Sequence, residues 1–196
     1  MNGELTTSQF AAGIIIPILW ITWLVYWAVS ARGVKKTSWR ESFGAQMRHR
    51  ALIIVAALLL AGPRLVPKVL TRRFIPLSPV LIWLGAALVA AGLALAVWGR
   101  RHLGRNWSSN VVVKEDHALI RTGPYRYVRH PIYTGIILAF FGMALFIGEW
   151  RALLGTACVF LSFLIKSRAE EVQMVKLFPE YGEYRRETAA LVPMIY

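Results

Sequence analysis

Long apolar runs without a charged residue constrain this chain more than any other feature. A helix needs about 20 apolar residues to cross the hydrocarbon core of a bilayer. Residues 10–31 and 79–98 reach that length and contain no Asp, Glu, Lys or Arg. Apolar residues make up 57% of the chain and charged residues 17%, against roughly 45–50% and 25% in soluble domains. The sequence therefore predicts an integral membrane protein.

Three shorter apolar runs complete the predicted membrane domain. They cover residues 51–62, 132–148 and 152–165. The last run gives only about 21 Å of helix, so we expect little tilt or a locally thinned bilayer around it. We predict an all-α integral membrane bundle of about five transmembrane helices in a single domain. Residues 1–98 would hold three spans, and residues 99–196 would hold the functional part.

The basic residues predict how the bundle lies in the membrane. Lys and Arg number 23 against 10 Asp and Glu, a net charge of +13. Because they fall between apolar runs, they favour topology signals and contacts to membrane lipids over nucleic-acid binding. Residues 32–50 carry six Lys or Arg and the first nine residues carry none. We expect the amino terminus outside and the carboxyl terminus in the cytoplasm, in the inner membrane if the source is bacterial.

Two further features qualify this orientation. Residues 63–73 carry four Lys or Arg and oppose it, because they would lie outside. The first apolar run lacks a basic leader and is too long for a typical signal core, so we expect no cleavable signal peptide.

A polar cluster lies on each side of the last two apolar runs. Residues 123–133 read Gly-Pro-Tyr-Arg-Tyr-Val-Arg-His-Pro-Ile-Tyr, and Glu170 and Glu171 follow the final run. If the two runs form a hairpin that turns at 148–151, both clusters lie about 20 residues from the turn and meet at one membrane face. The sequence thus predicts a cytoplasmic pocket formed by the 99–131 loop, the last helical hairpin and a carboxyl-terminal helix.

Residues along the carboxyl-terminal half follow a recognisable order. They are Leu103-Gly104, Trp107, Asp116 to Ile120, Gly123-Pro124-Tyr125, Arg129 to Gly135, Glu170-Glu171, Phe178, Glu180-Tyr181 and Tyr184. This order resembles the isoprenylcysteine carboxyl methyltransferase family, and phospholipid methyltransferases share much of the pattern. The resemblance covers residues 99–193. A Glu-Glu pair that follows Arg-His-Pro-x-Tyr after a membrane hairpin makes it specific.

The resemblance implies a cytoplasmic S-adenosylmethionine site built without a Rossmann domain, with S-adenosylhomocysteine as product. The residue types suit that ligand, because glutamate can pair with its ammonium group and tyrosine can stack on the adenine or face the sulfonium. The residues that would line the pocket are His117, Ala118, Leu119, Ile120, Tyr125, His130, Pro131, Ile132, Tyr133 and Glu170.

The implied chemistry is methyl transfer to a lipidic or hydrophobic small-molecule acceptor, with a carboxylate as the expected nucleophile. Such a transfer needs positioning and a dry site more than acid–base groups. Arg129 and Glu171 are catalytic candidates, together with Lys166 and Arg168 as cations for the acceptor. Lys166 stands where the resemblance implies an arginine, and lysine cannot make arginine's planar bidentate contact. Either Arg168 takes that role or the acceptor differs.

Simpler interpretations of the same residues stay open. The Arg-His pair could be an interfacial anchor, and the two glutamates could form a solvated helix face paired with nearby cations. The tyrosines could form an aromatic belt. We interpret His49 and His102 as interfacial positive charges.

Other functions also stay open at this stage. They are a phospholipid N-methyltransferase, an NADPH-binding relative of the sterol reductases, a non-catalytic scaffold and a small transporter. The 10–31 and 79–98 runs carry no charge, which disfavours transport. A single cysteine, Cys158, allows no intrachain disulfide and no cysteine zinc site, and no other metal-ligand spacing is present. We expect neither a metal nor a nucleic acid among the partners.

Overall fold

The computed structural model describes residues 2–31, 37–40, 42–62, 64–104, 112–114 and 119–192. The α-helices in these ranges are α1 (Asn2–Ser30), α2 (Phe43–Ala61), α3 (Pro79–Leu103), α4 (Pro131–Ile147), α5 (Trp150–Leu177) and α6 (Tyr181–Glu187). Two short strands, β1 (Thr37–Arg40) and β2 (Val112–Lys114), pair antiparallel. The predicted all-α bundle is confirmed, and the strand pair is a small addition to it.

The helices identify a membrane protein. Gly3–Ser30, α3 and α5 are long and apolar enough to cross a bilayer, and α4 is apolar but shorter, at 17 residues. Large apolar side chains on the outer surface suit lipid better than water, as with Phe10, which is 73% exposed. The predicted second span falls in α2, which does not meet the same length and composition limits within the described residues.

Two helices, α3 and α4, approach each other closely through glycine. A Cβ atom added to Gly85 would lie 2.7 Å from the carbonyl oxygen of Gly142, and one added to Gly142 would lie 2.6 Å from that of Gly85. Gly92 and Gly135 face each other in the same way one heptad further along. Small residues let membrane helices pack backbone to backbone. This packing fixes α4, whose first residues belong to the site.

The chain reverses between α4 and α5 where the sequence predicts a turn. Gly148 ends α4 in the left-handed conformation, with φ at 69°, which glycine adopts without strain. The next helix starts at Trp150. As a result, the start of α4 and the end of α5 lie at the same end of the bundle.

Arginine side chains donate hydrogen bonds to carbonyl oxygens at the carboxyl-terminal ends of neighbouring helices. Arg151 donates from Nη1 to the carbonyl oxygens of residues 59 and 60 in α2, at 2.9 and 2.7 Å. Arg73 donates to Ile147 of α4 at 3.1 Å, and Arg100 donates to Ser30 of α1. These carbonyls have no partner within their own helix and carry partial negative charge. Arg73 belongs to the segment that opposes the predicted orientation, and this contact gives it a structural role.

Two helices extend beyond the predicted apolar runs. The third helix continues past residue 98 to Leu103, and the fifth continues past 165 to Leu177 as one helix of 28 residues. Residues 99–103 therefore lie on a helix where a loop was predicted, and the predicted carboxyl-terminal helix continues the fifth span without a break. Gly99 on α3 faces Pro131. A Cβ atom added to Gly99 would lie 3.2 Å from Cγ of Pro131. The ends of α3 and α5 and the start of α4 thus surround one polar region.

Candidate active site

The polar region begins at the amino terminus of α4. Pro131 takes the first helical position, where its missing N–H costs nothing. The residues before it are held by the carboxyl-terminal segment: the amide of Arg129 donates to Ala189 O at 2.9 Å and the amide of His130 to Ala190 O at 3.1 Å. The Thr134 hydroxyl donates to Leu191 O at 2.6 Å. Arg129 and His130 therefore have a fixed backbone.

The imidazole of His130 lies between the two glutamates of α5. Its Nε2 is 3.3 Å from Glu171 Oε1, and its Nδ1 is 3.4 Å from Glu170 Oε2. Burial alone would lower the pKa of His130, but hydrogen bonds to both carboxylates outweigh it and raise the pKa above its usual 6.5. Two acceptors facing two ring nitrogens favour the imidazolium, which donates from both.

Glu171 is held by guanidinium groups on either side. Arg129 Nε donates to Glu171 Oε1 at 2.7 Å, and Arg185 Nε lies 3.3 Å from Oε2. Arg129 also donates from Nη1 to the carbonyl oxygens of Arg185, at 3.1 Å, and Thr188. Glu171 thus connects α5 to the segment before α4 and to the chain after α6.

Glu170 has a different environment, which is partly open. Tyr133 donates its hydroxyl to Glu170 Oε1 at 2.6 Å. Its ring stacks on His130, with centroids 5.4 Å apart, and on Phe163, with centroids 4.5 Å apart. The Lys166 ammonium lies 5.1 Å from the centre of the Tyr133 ring. The Glu170 side chain keeps 19% of its surface exposed against 10% for Glu171, so it is the more accessible carboxylate.

Tyr125 joins the end of α3 to this cluster. It is buried in a short 3₁₀ helix, Gly123–Arg126, and its hydroxyl donates to Gly99 O at 3.3 Å. The Tyr184 hydroxyl donates to Tyr125 O at 2.6 Å. Burial raises the pKa of Tyr184 to about 12, so this hydroxyl remains a donor over the neutral range. The tyrosine pair ties α6 to the site.

The structure brings together most of the predicted residues that it describes. Arg129, His130, Tyr133, Lys166, Glu170 and Glu171 form one cluster through the contacts above, and Pro131 and Ile132 are buried at its base. Leu119 and Ile120 lie half-buried in the coil before the 3₁₀ helix. Arg168 is exposed, whereas Lys166 is buried. His117 and Ala118 lie outside the described residues.

Several residues that contact the cluster were not predicted from the sequence. Arg185 and residues 188–191 hold the cluster mainly through backbone carbonyls, which any residue can supply, so no sequence signal marks them. Phe163 stacks on Tyr133, but in the sequence it cannot be distinguished from the other apolar residues of the span. His49, interpreted as an interfacial charge, is instead 4% exposed, and its carbonyl oxygen accepts from Ser162 Oγ at 2.7 Å.

Comparison with known proteins places these residues in context. The sequence profile of the phospholipid methyltransferase family matches residues 80–181, which include all the predicted site residues. The chain is similar to the cobalt-zinc-cadmium resistance protein CzcN of Cupriavidus metallidurans, with 30% identity over 123 residues, 60% of this chain and 51% of that protein. In the described residues, no group of three or more His, Cys, Asp or Glu could hold a metal ion.

Two fungal enzymes are also similar to this chain. The protein-S-isoprenylcysteine O-methyltransferase of Schizosaccharomyces pombe is 31% identical over 96 residues, 47% of this chain and 41% of that protein. The enzyme of the same description in Saccharomyces cerevisiae is 30% identical over 116 residues, 57% of this chain and 48% of that protein. The chain thus spans about half the length of the curated relatives it matches.

Proposed function

The chain belongs to the phospholipid methyltransferase family, and we propose that it is a membrane methyltransferase that uses S-adenosylmethionine to methylate a carboxylate on a lipidic or hydrophobic acceptor. One observation carries this proposal. Glu170 lies partly open beside His130, Tyr133 and Lys166 at the junction of two apolar helices. Acidic, aromatic and cationic groups therefore meet at the ends of two apolar helices, which suits a lipidic acceptor and a water-soluble methyl donor.

The residues present fit S-adenosylmethionine. Glu170 would accept hydrogen bonds from its ammonium group, and this charge-assisted pairing is stronger than a neutral one. Tyr133, whose ring already stacks on His130 and Phe163, would contact the ligand through its hydroxyl beside Glu170, and Tyr125 would border the adenine. His130 and Pro131 would border the ligand at the amino terminus of α4, which favours a negatively charged group such as its carboxylate. His117, Ala118, Leu119 and Ile120 complete the proposed set.

In the reaction, the protein's own groups bind, orient and exclude water. Arg129 and Glu171 would act as positioning residues, because their ion pair fixes the segment that carries His130. Phe163 and Tyr133 would keep the reacting carboxylate away from water. When bound, S-adenosylmethionine would supply an activated methyl group that passes from sulfur to the acceptor oxygen, giving a methyl ester and S-adenosylhomocysteine. The acceptor oxygen attacks as the anion, so no residue has to remove a proton.

The local charge favours a carboxylate acceptor over an amine. Lys166, Arg129, Arg185 and the protonated His130 outnumber the two glutamates around them. A negative acceptor would be attracted by this excess, whereas a protonated amine would be repelled. The family description still makes a phospholipid amine the second candidate.

Product analysis distinguishes the two acceptors. Detergent-solubilised protein would be incubated with methyl-labelled S-adenosylmethionine and an extract of native membranes. We expect a lipid-soluble labelled product that releases labelled methanol in mild base, because methyl esters hydrolyse and N-methyl groups do not. Base-stable label on a phospholipid would favour the amine, and no labelled lipid would count against the proposed activity.

Two variants test which cation holds the acceptor. Lys166→Met should lower the yield of labelled ester at least tenfold, because the buried ammonium lies against Tyr133. Arg168→Met should leave the yield within about twofold, because this side chain is exposed. Binding of S-adenosylhomocysteine to both variants is the control for folding. The opposite result would assign the role to Arg168.

A further inference from the structure

A cleft on the outer face of α3 is distinct from the carboxylate cluster. It has a volume of about 470 Å³, and the described residues that line it are Ala94, Val97, Trp98, Arg101 and His102. Ala94, Trp98 and Arg101 are exposed, whereas Leu93, Ala96 and Arg100 are buried towards the bundle. The cleft therefore lies on the side of α3 that faces away from α4, where we expect the helix to meet lipid.

The lining changes from apolar to basic along the helix axis. Ala94, Val97 and Trp98 belong to the apolar part of α3, whereas Arg101 and His102 form its last turn. Arg101 makes no ion pair with any residue that the structure describes. Trp98 is 49% exposed, and tryptophan in this position is typical of the boundary between hydrocarbon and headgroups.

His102 is oriented within the cleft. Its Nε2 lies 2.7 Å from Thr122 Oγ1, and its ring stacks on Tyr125 with centroids 6.4 Å apart. The ring also lies against Gly123, where an added Cβ atom would be 2.8 Å from Nδ1, so its position beside Arg101 is fixed. A guanidinium and an imidazole thus lie side by side at the polar end of an apolar cleft.

From this arrangement we propose that the cleft binds one anionic phospholipid. Its phosphate lies against Arg101 and His102, and one acyl chain follows Ala94, Val97 and Trp98 into the membrane. Charge complementarity favours an anionic headgroup. Arginine pairs with phosphate in a bidentate geometry, and no acidic residue lines the cleft among the described residues. This lipid is not the methyl acceptor, and its binding does not depend on the proposed methyltransferase activity.

The test measures lipid binding by the purified full chain. Fluorescent phosphatidylglycerol and phosphatidylcholine would be titrated into detergent-solubilised wild type, Arg101→Gln, Trp98→Ala and Arg48→Gln. The last is the matched control, because Arg48 is an exposed arginine on α2 outside the cleft. The three substituted positions are exposed enough that folding should survive, and a thermal unfolding curve of each variant checks this.

We expect wild type and Arg48→Gln to prefer phosphatidylglycerol and Arg101→Gln to bind it about five- to tenfold more weakly. Trp98→Ala should weaken both lipids equally, because it removes chain contact alone. Equal binding of the two lipids by wild type, or unchanged selectivity in Arg101→Gln, would overturn the proposal. Full competition by millimolar inorganic phosphate would also overturn it, since the site would then recognise phosphate and not a lipid.

Discussion

His130 contacts both Glu170 and Glu171 of α5. The remaining partners of the two glutamates differ. Glu171 receives two guanidinium groups and is nearly enclosed, whereas Glu170 receives a tyrosine hydroxyl and remains partly open. The positive imidazolium lets both carboxylates stay charged in a buried place, since unpaired buried charges are costly. The pair therefore divides into a structural carboxylate and one that a ligand can reach.

The raised pKa of His130 predicts how stability depends on pH. Because the folded-state pKa lies above the unfolded value of 6.5, protonation stabilises the fold below pH 6.5 and the benefit is lost as pH rises through the folded-state pKa. We expect His130→Asn to lower the melting temperature more at pH 6 than at pH 9. Each kcal/mol of unfolding free energy that is lost corresponds to a fall of about 2–4 °C. Thermal unfolding of both proteins between these limits checks this. A difference that is constant or grows with pH would contradict it.

At the scale of elements, the contact between α3 and α4 depends on the absence of side chains. Gly92→Ala would place a methyl group against the backbone of Gly135 and Ala139, and we expect overpacking to cost about 1–3 kcal/mol. Gly13→Ala on α1 is the matched control, because a Cβ atom there meets nothing within 4 Å, and it should be neutral or slightly stabilising. Melting temperatures in detergent compare the two. Equal effects would mean that α3 and α4 do not pack so closely.

The sequence located the helices because long apolar runs have few alternatives in a membrane. It missed the extension of α3, because the polar residues at 99–103 continue a helix that has already started and packs. The helix predicted from residue 166 onward is present and joins the fifth span as one helix, α5. The meeting of His130 with the glutamates was also predictable, from the hairpin and the turn at Gly148. The contacts of residues 188–191 with Arg129 and His130 could not be predicted, because backbone carbonyl oxygens make them.

At the scale of the whole molecule, the polar cluster and the amino end of α1 lie at opposite ends of the bundle. Arg100, near the end of α3, donates to Ser30 at the end of α1, and α1 is about 43 Å long by its 29 residues. The distribution of Lys and Arg in the sequence predicts that the polar end lies in the cytoplasm.

Cysteine labelling tests this orientation. In a Cys158→Ser background, Gly3→Cys should react with an impermeant maleimide added to intact cells. Glu183→Cys, on α6 beside the cluster, should react only after the membrane is opened. The reverse pattern would place the site outside the cell, where S-adenosylmethionine is not expected.

Binding of S-adenosylhomocysteine tests most directly whether Glu170 holds the methyl donor, as we propose. At a hundredfold excess over its Kd, the ligand should stabilise the solubilised protein by about 2.7 kcal/mol, while NADPH gives no shift. Glu170→Gln should weaken its binding about 10- to 100-fold, because a charge-assisted hydrogen bond is lost. Glu183→Gln, at an exposed glutamate, should bind as wild type. Stabilisation by NADPH instead, or unchanged affinity in Glu170→Gln, would contradict the account.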